Sequence, residues 1–535
     1  MLDASLCRHT LHYIPSGEST KMKQYEPSAI LAARARSVLA EIQQQASVTR
    51  ALLTGFLIYL IISRIQYARK TPKVASVGFP PIPFIDSYVA AIRFLLNPVK
   101  LVKEGLAKSK NGMFRIATLQ GEYVVVTDRR KVAEYIKAPD SVLNMQEGSN
   151  DQQQIPYTMG YGVGYRTYHT SVVRGVVTKE LGINTPKMLD EATLALDDLI
   201  GSPEDYTPIG LYDTLAMTVA RVSSRVYVGT EFCRNQEYLK NAADYAQAVV
   251  ISAEILRILP EFMKSFVTQL LPVMKYRRNG AKFLHQYIQD RLDGKVDEDG
   301  QKPHDLVQWL IDAAPPVEKT VPQLAERVMA LNVASIHTTT MVFSGALYSL
   351  AMEPERYLEP LRQEVLDNLE DNEITPAMLG KLHKMDSFLR ESGRFNNAGL
   401  LAMQRNVKRE FRFSDGTVLP PGSKVGASSL ILHRDPEVYD DPEIFDGFRF
   451  VGSKYQDSKE TLVVNTTNNY HVFGHGRHPC PGRFFAVHEI KLIFCLLLLK
   501  YDIKLAPGDV PHGIYIATMA IPDTGLKVQF RARKE

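Results

Sequence analysis

The sequence predicts a mainly helical fold with small β-sheets, and three observations carry that expectation. Helical periodicity dominates the middle of the chain, from about residue 165 to 350. Within it, a segment from 322 (QLAERVMALNVASIHTTTMVFSGALYSLA) is apolar nearly all round, so it should run buried through the core until Glu353-Pro354 stops it. Strand signals are short and lie towards the two ends instead of alternating with helices, unlike a doubly wound or barrel pattern.

From the N-terminus, residues 1–50 form a polar extension with a charged, helix-like stretch around 27–45. Residues 51–63, ALLTGFLIYLIIS, are uncharged. As a helix that run rises only about 20 Å, against a hydrocarbon core of about 30 Å. It precedes the folded body and is followed by Arg64, Arg69, Lys70, Lys73 and the proline-rich GFPPIPF at 78–84. Snorkelling arginines lengthen the effective span. The expectation is a single membrane anchor at 51–63 and a basic, proline-rich linker at 64–84. The folded body, 85–535, should then face the cytoplasm. Arg34, Arg36 and Arg50 on the far side weigh against that topology.

The body opens with helical residues at 85–110 and a β-hairpin over 112–127, turning at Gln120-Gly121. Loops at 201–208 and 293–303 divide the helical middle, and strand signals follow at 410–425. A loop-rich region, 433–475, leads into a helix over about 481–500.

Apolar residues make up 45% of the 535 residues and charged residues 23%, a globular balance. The formal net charge of +4 is spread without a long basic tract, which excludes nucleic acid as a natural partner. It suits an acidic redox protein or anionic lipid better. Four cysteines, Cys7, Cys233, Cys480 and Cys495, show neither zinc nor disulfide spacing. A reducing compartment fits, with Cys233 and Cys495 as small buried hydrophobes.

Cys480 stands apart. It lies in FGHGRHPCPGRFFA, 473–486, ahead of an apolar helix. A helix N-terminus lowers a thiolate pKa and offers amides to its sulfur, which suits a metal ligand. Gly474, Gly476 and Gly482 let the backbone approach a flat macrocycle. Phe473 can cover one face, and Arg477 and His478 bring donors near carboxylates. Elsewhere, Glu391 and Arg394 are spaced to face one side of a helix.

Phe473, Gly476, His478, Cys480 and Gly482 together resemble the haem loop of the cytochrome P450 family, Phe-x-x-Gly-x-Arg/His-x-Cys-x-Gly. The resemblance covers roughly residues 78–535. It implies the P450 fold and a haem b (iron protoporphyrin IX) with Cys480 as axial iron ligand. Glu391, Arg394 and Arg449 match the family's structural ion-pair triad. Arg405, Arg174 and His478, with Arg477 beside it, match residues that meet haem propionates. In the central helix, Ala334-Ser335-Ile336-His337-Thr338-Thr339 fills the oxygen-site motif, with Thr338 at the proton-ordering threonine. His337 stands where an acid is usual and is a candidate proton relay; a simple back-bond to the preceding turn is the plain alternative for the threonines. The Ile-His-Thr-Thr and HGRHPCPGRFF context is similar to fungal ent-kaurene oxidase-like enzymes of secondary metabolism.

What the resemblance implies is a dioxygen-activating monooxygenase, fed from NADPH by a separate cytochrome P450 reductase with cytochrome b5 as an accessory donor. It also implies an endoplasmic reticulum membrane location in contact with lipid. Apolar candidate pocket segments lie at 329–339, 395–402 and 514–520, with Asn332, Ser335, Asn396 and Asn397 as polar handles. An apolar pocket suits a lipophilic, terpenoid-like substrate. Steroids, alkaloids and polyketides stay open as substrates. So do a peroxide-using isomerase or dehydratase and a non-catalytic haem carrier or sensor.

Overall fold

The computed structural model describes residues 72–81, 85–119, 121–297, 300–397, 399–452 and 461–534, with a short hairpin at 11–14 and 21–24 and residues 58, 61 and 62. The expected extension 1–50, anchor 51–63 and linker 64–84 lie largely outside the described residues. Among the described residues no helix is long and apolar enough to cross a membrane.

The helical stretch at 85–110 is two helices, Asp86–Leu96 and Pro98–Lys108. They part at Asn97, which Pro98 pushes out of helical conformation. The hairpin pairs Met113–Thr118 with Gly121–Val126 and sets Thr118 opposite Gly121. It extends into a six-stranded sheet in the order Ala75–Ser76, Met113–Thr118, Gly121–Val126, Lys424–Ser428, Leu401–Val407, Leu143–Asn144. One face of this sheet carries Val124, Val126, Val425 and Ala427, packed with Tyr135 and Ile136. The other carries Tyr123, Val125 and Leu401. Strand Leu401–Val407 begins inside the candidate pocket segment 395–402 and ends before the strand signal at 410–425, because Gln404, Arg405 and Asn406 mask its apolar alternation.

A second sheet joins Tyr501–Lys504, Lys527–Ala532 and Thr207–Gly210. Part of the expected loop at 201–208 is thus a strand. Its partner lies at the other end of the chain, with Thr207 opposite Phe530, which no local pattern announces.

The central helix runs over Val321–Met352 with Pro322 in its first turn, and a new helix begins at once at Pro354. It packs against helices Leu211–Tyr227, Gln236–Arg257, Pro272–Leu292 and His383–Phe395. Its apolar residues belong to the largest core cluster together with those of the helix Arg483–Lys500 that follows Cys480. The cysteine loop and the middle of the central helix are therefore both fixed by the same core.

Five histidines inside the body are held neutral by burial. His471 is pushed down to about 3, and His169 and His488 to about 4. His433 lies well below its ordinary value and His475 is lowered, in both cases chiefly by desolvation. An unfolded chain protonates all five below about pH 6.5, so stability falls as pH drops through that value. Glu489, raised to about 8 by burial, and Asp305 and Glu364, raised less, oppose this by at most one proton each. The buried rings outnumber the raised carboxyls, so the folded chain binds fewer protons than the unfolded one over this range. Denaturant midpoints of the loaded protein should therefore decrease from pH 7 to 6 to 5; a flat or rising series would contradict the burial of these rings.

Candidate active site

Cys480 closes a tight loop in which its own amide donates to the Phe473 carbonyl at 2.7 Å. Gly474 and Gly476 take φ of +69° and +81°, a conformation open to glycine at no steric cost. A Cβ on Gly476 would sit 3.1 Å from Ile136, so the loop lies directly on the sheet side of the core. The backbone amides of Gly482 and Arg483, at the start of the following helix, donate to the Cys480 sulfur. Cys480 has accessible surface, yet surrounding protein desolvates it and pushes its thiol pKa up. Both hold together for a side chain on the wall of a concavity.

A second stretch of accessible surface comes from the central helix. Most of its residues are buried or half-buried, but Ala334 and Thr338, one turn apart, are exposed. Thr338 Oγ1 donates to the Ala334 carbonyl at 2.5 Å. The helix continues through this turn without a break. His337 points elsewhere. Its Nε2 meets the Ala243 carbonyl at 3.1 Å and so carries the proton, leaving Nδ1 to accept from the Tyr212 hydroxyl at 3.2 Å. Consecutive helical residues diverge by about 100°, and only Thr338 of the two is on the exposed strip. Asn332, a candidate polar handle, is fully buried and donates to the Tyr238 hydroxyl at 2.9 Å. Its role is in the core, because its helical face packs on helix Gln236–Arg257.

The cationic residues distribute unevenly. Arg405 is 3% exposed, its Nη1 donates to the Gln404 carbonyl at 2.8 Å, and its Nη2 is buried without a partner. Desolvation lowers its pKa. A buried guanidinium edge of this kind calls for an anion. Arg174 is exposed within a π-helical turn, Val173–Val177, whose Val173 lies 3.6 Å from where a Cβ on Gly482 would be. Such turns often mark functional positions. His478, expected at a propionate, instead meets Asp140 Oδ1 at 2.7 Å, and Arg477 is exposed. Asp140 lies far upstream, so nothing local in the sequence announced the pairing. Arg483 was also missed. Its Nη1 donates to the Cys480 carbonyl at 2.9 Å and its Nε to Val464 at 3.1 Å, a bracing that its place in the first helical turn after Cys480 could have signalled.

Behind the loop, Glu391 and Arg394 are fully buried and joined by two bonds of 2.7 Å. Arg449 Nε reaches both carboxylate oxygens at 3.1 Å. The Arg394 guanidinium also donates to the carbonyls of His433 and Pro442 at 2.8 Å each, tying the helix to the loop-rich region.

The cytochrome P450 family model matches residues 78–530. The chain belongs to the cytochrome P450 family. It is 34% identical over 473 residues to cytochrome P450 monooxygenase 151 of Postia placenta, covering 86% of this chain and 94% of that protein. The ent-kaurene oxidase of Gibberella intermedia is 31% identical over 492 residues, covering 90% and 91%. Monooxygenase paxP of Penicillium paxilli is 30% identical over 498 residues, covering 89% and 93%. Among solved structures, retinoic acid-bound cyanobacterial CYP120A1 superposes with a TM-score of 0.66 over 86% of this chain and 99% of that one, at 20% identity. This P450 is accordingly a monooxygenase, an oxidoreductase of the haem-thiolate class. Its own donor set fits the haem the family implies: an amide-supported thiolate, an exposed hydroxyl on the central helix, and a buried guanidinium edge without an anion.

Proposed function

We propose that this P450 inserts oxygen from dioxygen into an elongated, lipophilic, terpenoid-like intermediate of fungal secondary metabolism. One observation carries the reading. Ala334, Thr338, Met341, Gly345, Tyr348 and Met352 share one face of the central helix, at alternating steps of three and four. From Met341 onward, that face lines a recess whose other wall is the C-terminal hairpin, with Ile514, Ala520 and Ile521. The lining is mostly apolar, with Asn396 and Asn397 at its edge. Met341 to Met352 rises about 16 Å, and the recess along this length presents apolar side chains. The resemblance to an ent-kaurene oxidase supports the same class.

Cys480 would hold the haem iron, with the amides of Gly482 and Arg483 stabilising its thiolate. Arg405 and Arg174 would meet its propionates. When bound, the haem supplies the activation of dioxygen for attack on unactivated C–H bonds. Thr338 holds a proton at Oγ1, on the exposed strip, and can release it by letting go of the Ala334 carbonyl. His337, bonded through both nitrogens to neighbouring helices, positions the strip. Electrons come from NADPH through a separate reductase, with cytochrome b5 as accessory donor.

The site works at a membrane surface, the endoplasmic reticulum, with the body on the cytoplasmic side. The uncharged run 51–63 supports this. So does the helix Glu261–Leu270, which exposes Phe262, Phe266 and Leu270 to 84%, 70% and 72% at successive turns, an apolar stripe suited to lipid.

The test is reconstitution of the full chain with NADPH-cytochrome P450 reductase in vesicles, challenged with ent-kaurene and other terpenoid hydrocarbons. Substrate-dependent NADPH oxidation with one oxygen atom entering the product is expected. Turnover with a lipid peroxide alone, and none with NADPH, would assign the isomerase or dehydratase reading instead.

A further inference from the structure

We infer that a one-residue β-bulge at Met403–Gln404 aims Arg405 at the cysteine loop, which makes Met403 a positioning residue for the cofactor's carboxylate edge. The inference rests on the reading of Arg405 as a propionate partner.

Strand Leu401–Val407 runs antiparallel to Lys424–Ser428. On one side of the pairing Asn406 faces Lys424 and Arg405 faces Val425; on the other, Ala402 faces Ala427 and Leu401 faces Ser428. Between them Met403 and Gln404 together oppose the single Gly426. Directly opposed residues share a sheet face, and in a regular strand residues three apart lie on opposite faces. Here Arg405 shares a face with Val425, and Ala402 with Ala427, and those two belong to the same cluster as Tyr135 and Ile136. Leu401 packs in the cluster on the reverse face. Were the same residues paired in a regular ladder from Ala402 onward, Arg405 would turn to that reverse face, away from Ile136 and from Gly476, which rests on Ile136.

The local chemistry is consistent with a built device. Met403 takes φ of +53°, a conformation that glycine favours and that bulges of this kind commonly fill with glycine. Both bulge carbonyls are used: the Tyr135 hydroxyl donates to that of Met403 at 3.3 Å, and Arg405 Nη1 to that of Gln404 at 2.8 Å. The second bond folds the guanidinium against its own strand and leaves Nη2 as the buried edge without a partner. Opposite, a Cβ on Gly426 would stand 3.3 Å from Gln404 Cγ and 3.4 Å from the Ala402 carbonyl, so glycine there admits the extra residue.

The experiment measures haem release from the full-length ferric holoenzyme to excess apomyoglobin, beside its thermal midpoint, in four variants. Arg405→Gln should speed release about tenfold or more, the loss of a charge-assisted bond. Met403→Val, a β-branched residue poorly suited to positive φ, should speed it comparably. The double variant should be within about twofold of either single, because both remove one interaction. Met403→Gly should lower the thermal midpoint by emptying core volume yet release haem at the parent rate. Release that follows the thermal midpoint in both Met403 variants, or effects that multiply in the double variant, would overturn the positioning role. No change in Arg405→Gln would instead overturn the propionate reading beneath it.

Discussion

Glu391→Gln is expected to cut recovery of folded, haem-loaded enzyme severely and to lower the denaturation midpoint of what is recovered. The carboxylate receives two bonds from Arg394, contacts from Arg449, and the Asp446 amide at 3.0 Å, with Glu391 and Arg394 fully shielded from water. A neutral amide leaves buried cationic groups without their counter-charge. Removing one partner of such a pair costs about 3–5 kcal/mol, against a whole-domain stability of about 5–15 kcal/mol. The surface pair Lys408–Glu147, bonded at 2.7 Å but with both side chains substantially exposed, offers the contrast: Glu147→Gln should cost under about 1 kcal/mol. Haem content per milligram and the denaturation midpoint check both. Similar losses in the two variants would mean that the buried triad does no more than a surface pair.

Thr338→Ala is expected to leave folding and haem loading intact while cutting product formed per NADPH about 10- to 100-fold, in the range of a lost positioned proton donor. Electrons should appear as hydrogen peroxide instead. The alanine removes the hydroxyl from the strip of the central helix that carries Ala334, and the 2.5 Å bond to the Ala334 carbonyl goes with it. Thr338→Ser keeps the Oγ and should keep most of the coupling. His337→Gln should show the reverse pattern. Loss of its bonds to Ala243 and Tyr212 loosens the helix packing, so stability should fall while the product-to-NADPH ratio holds. Product, NADPH and peroxide measured in the same reaction separate these outcomes. Uncoupling in His337→Gln with unchanged stability would restore the histidine as a relay.

The parts of the site legible in the sequence are those set by neighbours a few residues apart. The cysteine loop is one: Phe473, the positive-φ glycines, Cys480 and the helix behind it form a local unit. Glu391 and Arg394 are another, one helical turn apart. The central helix was legible because its apolar residues run nearly all round, and the early hairpin because Gly121 ends its turn. What stayed hidden depends on distant partners. His478 pairs with Asp140, His337 turns towards Ala243 and Tyr212, and Asn332 towards Tyr238, all on elements far away in the chain. The strand at Thr207–Gly210 exists because Lys527–Ala532 arrives beside it. A one-residue bulge leaves no compositional trace when methionine occupies the glycine-like position, so the aim of Arg405 follows only from the register.

The most direct measurement is the spectrum of the reduced, carbon monoxide-bound full-length protein, for the parent and for Cys480→Ser. The parent should give a Soret band near 450 nm, the mark of thiolate ligation at the haem iron, and the serine variant should lose it while the protein remains folded. A folded, haem-loaded parent without that band, or a serine variant that keeps it, would contradict the assignment of Cys480 as the ligand.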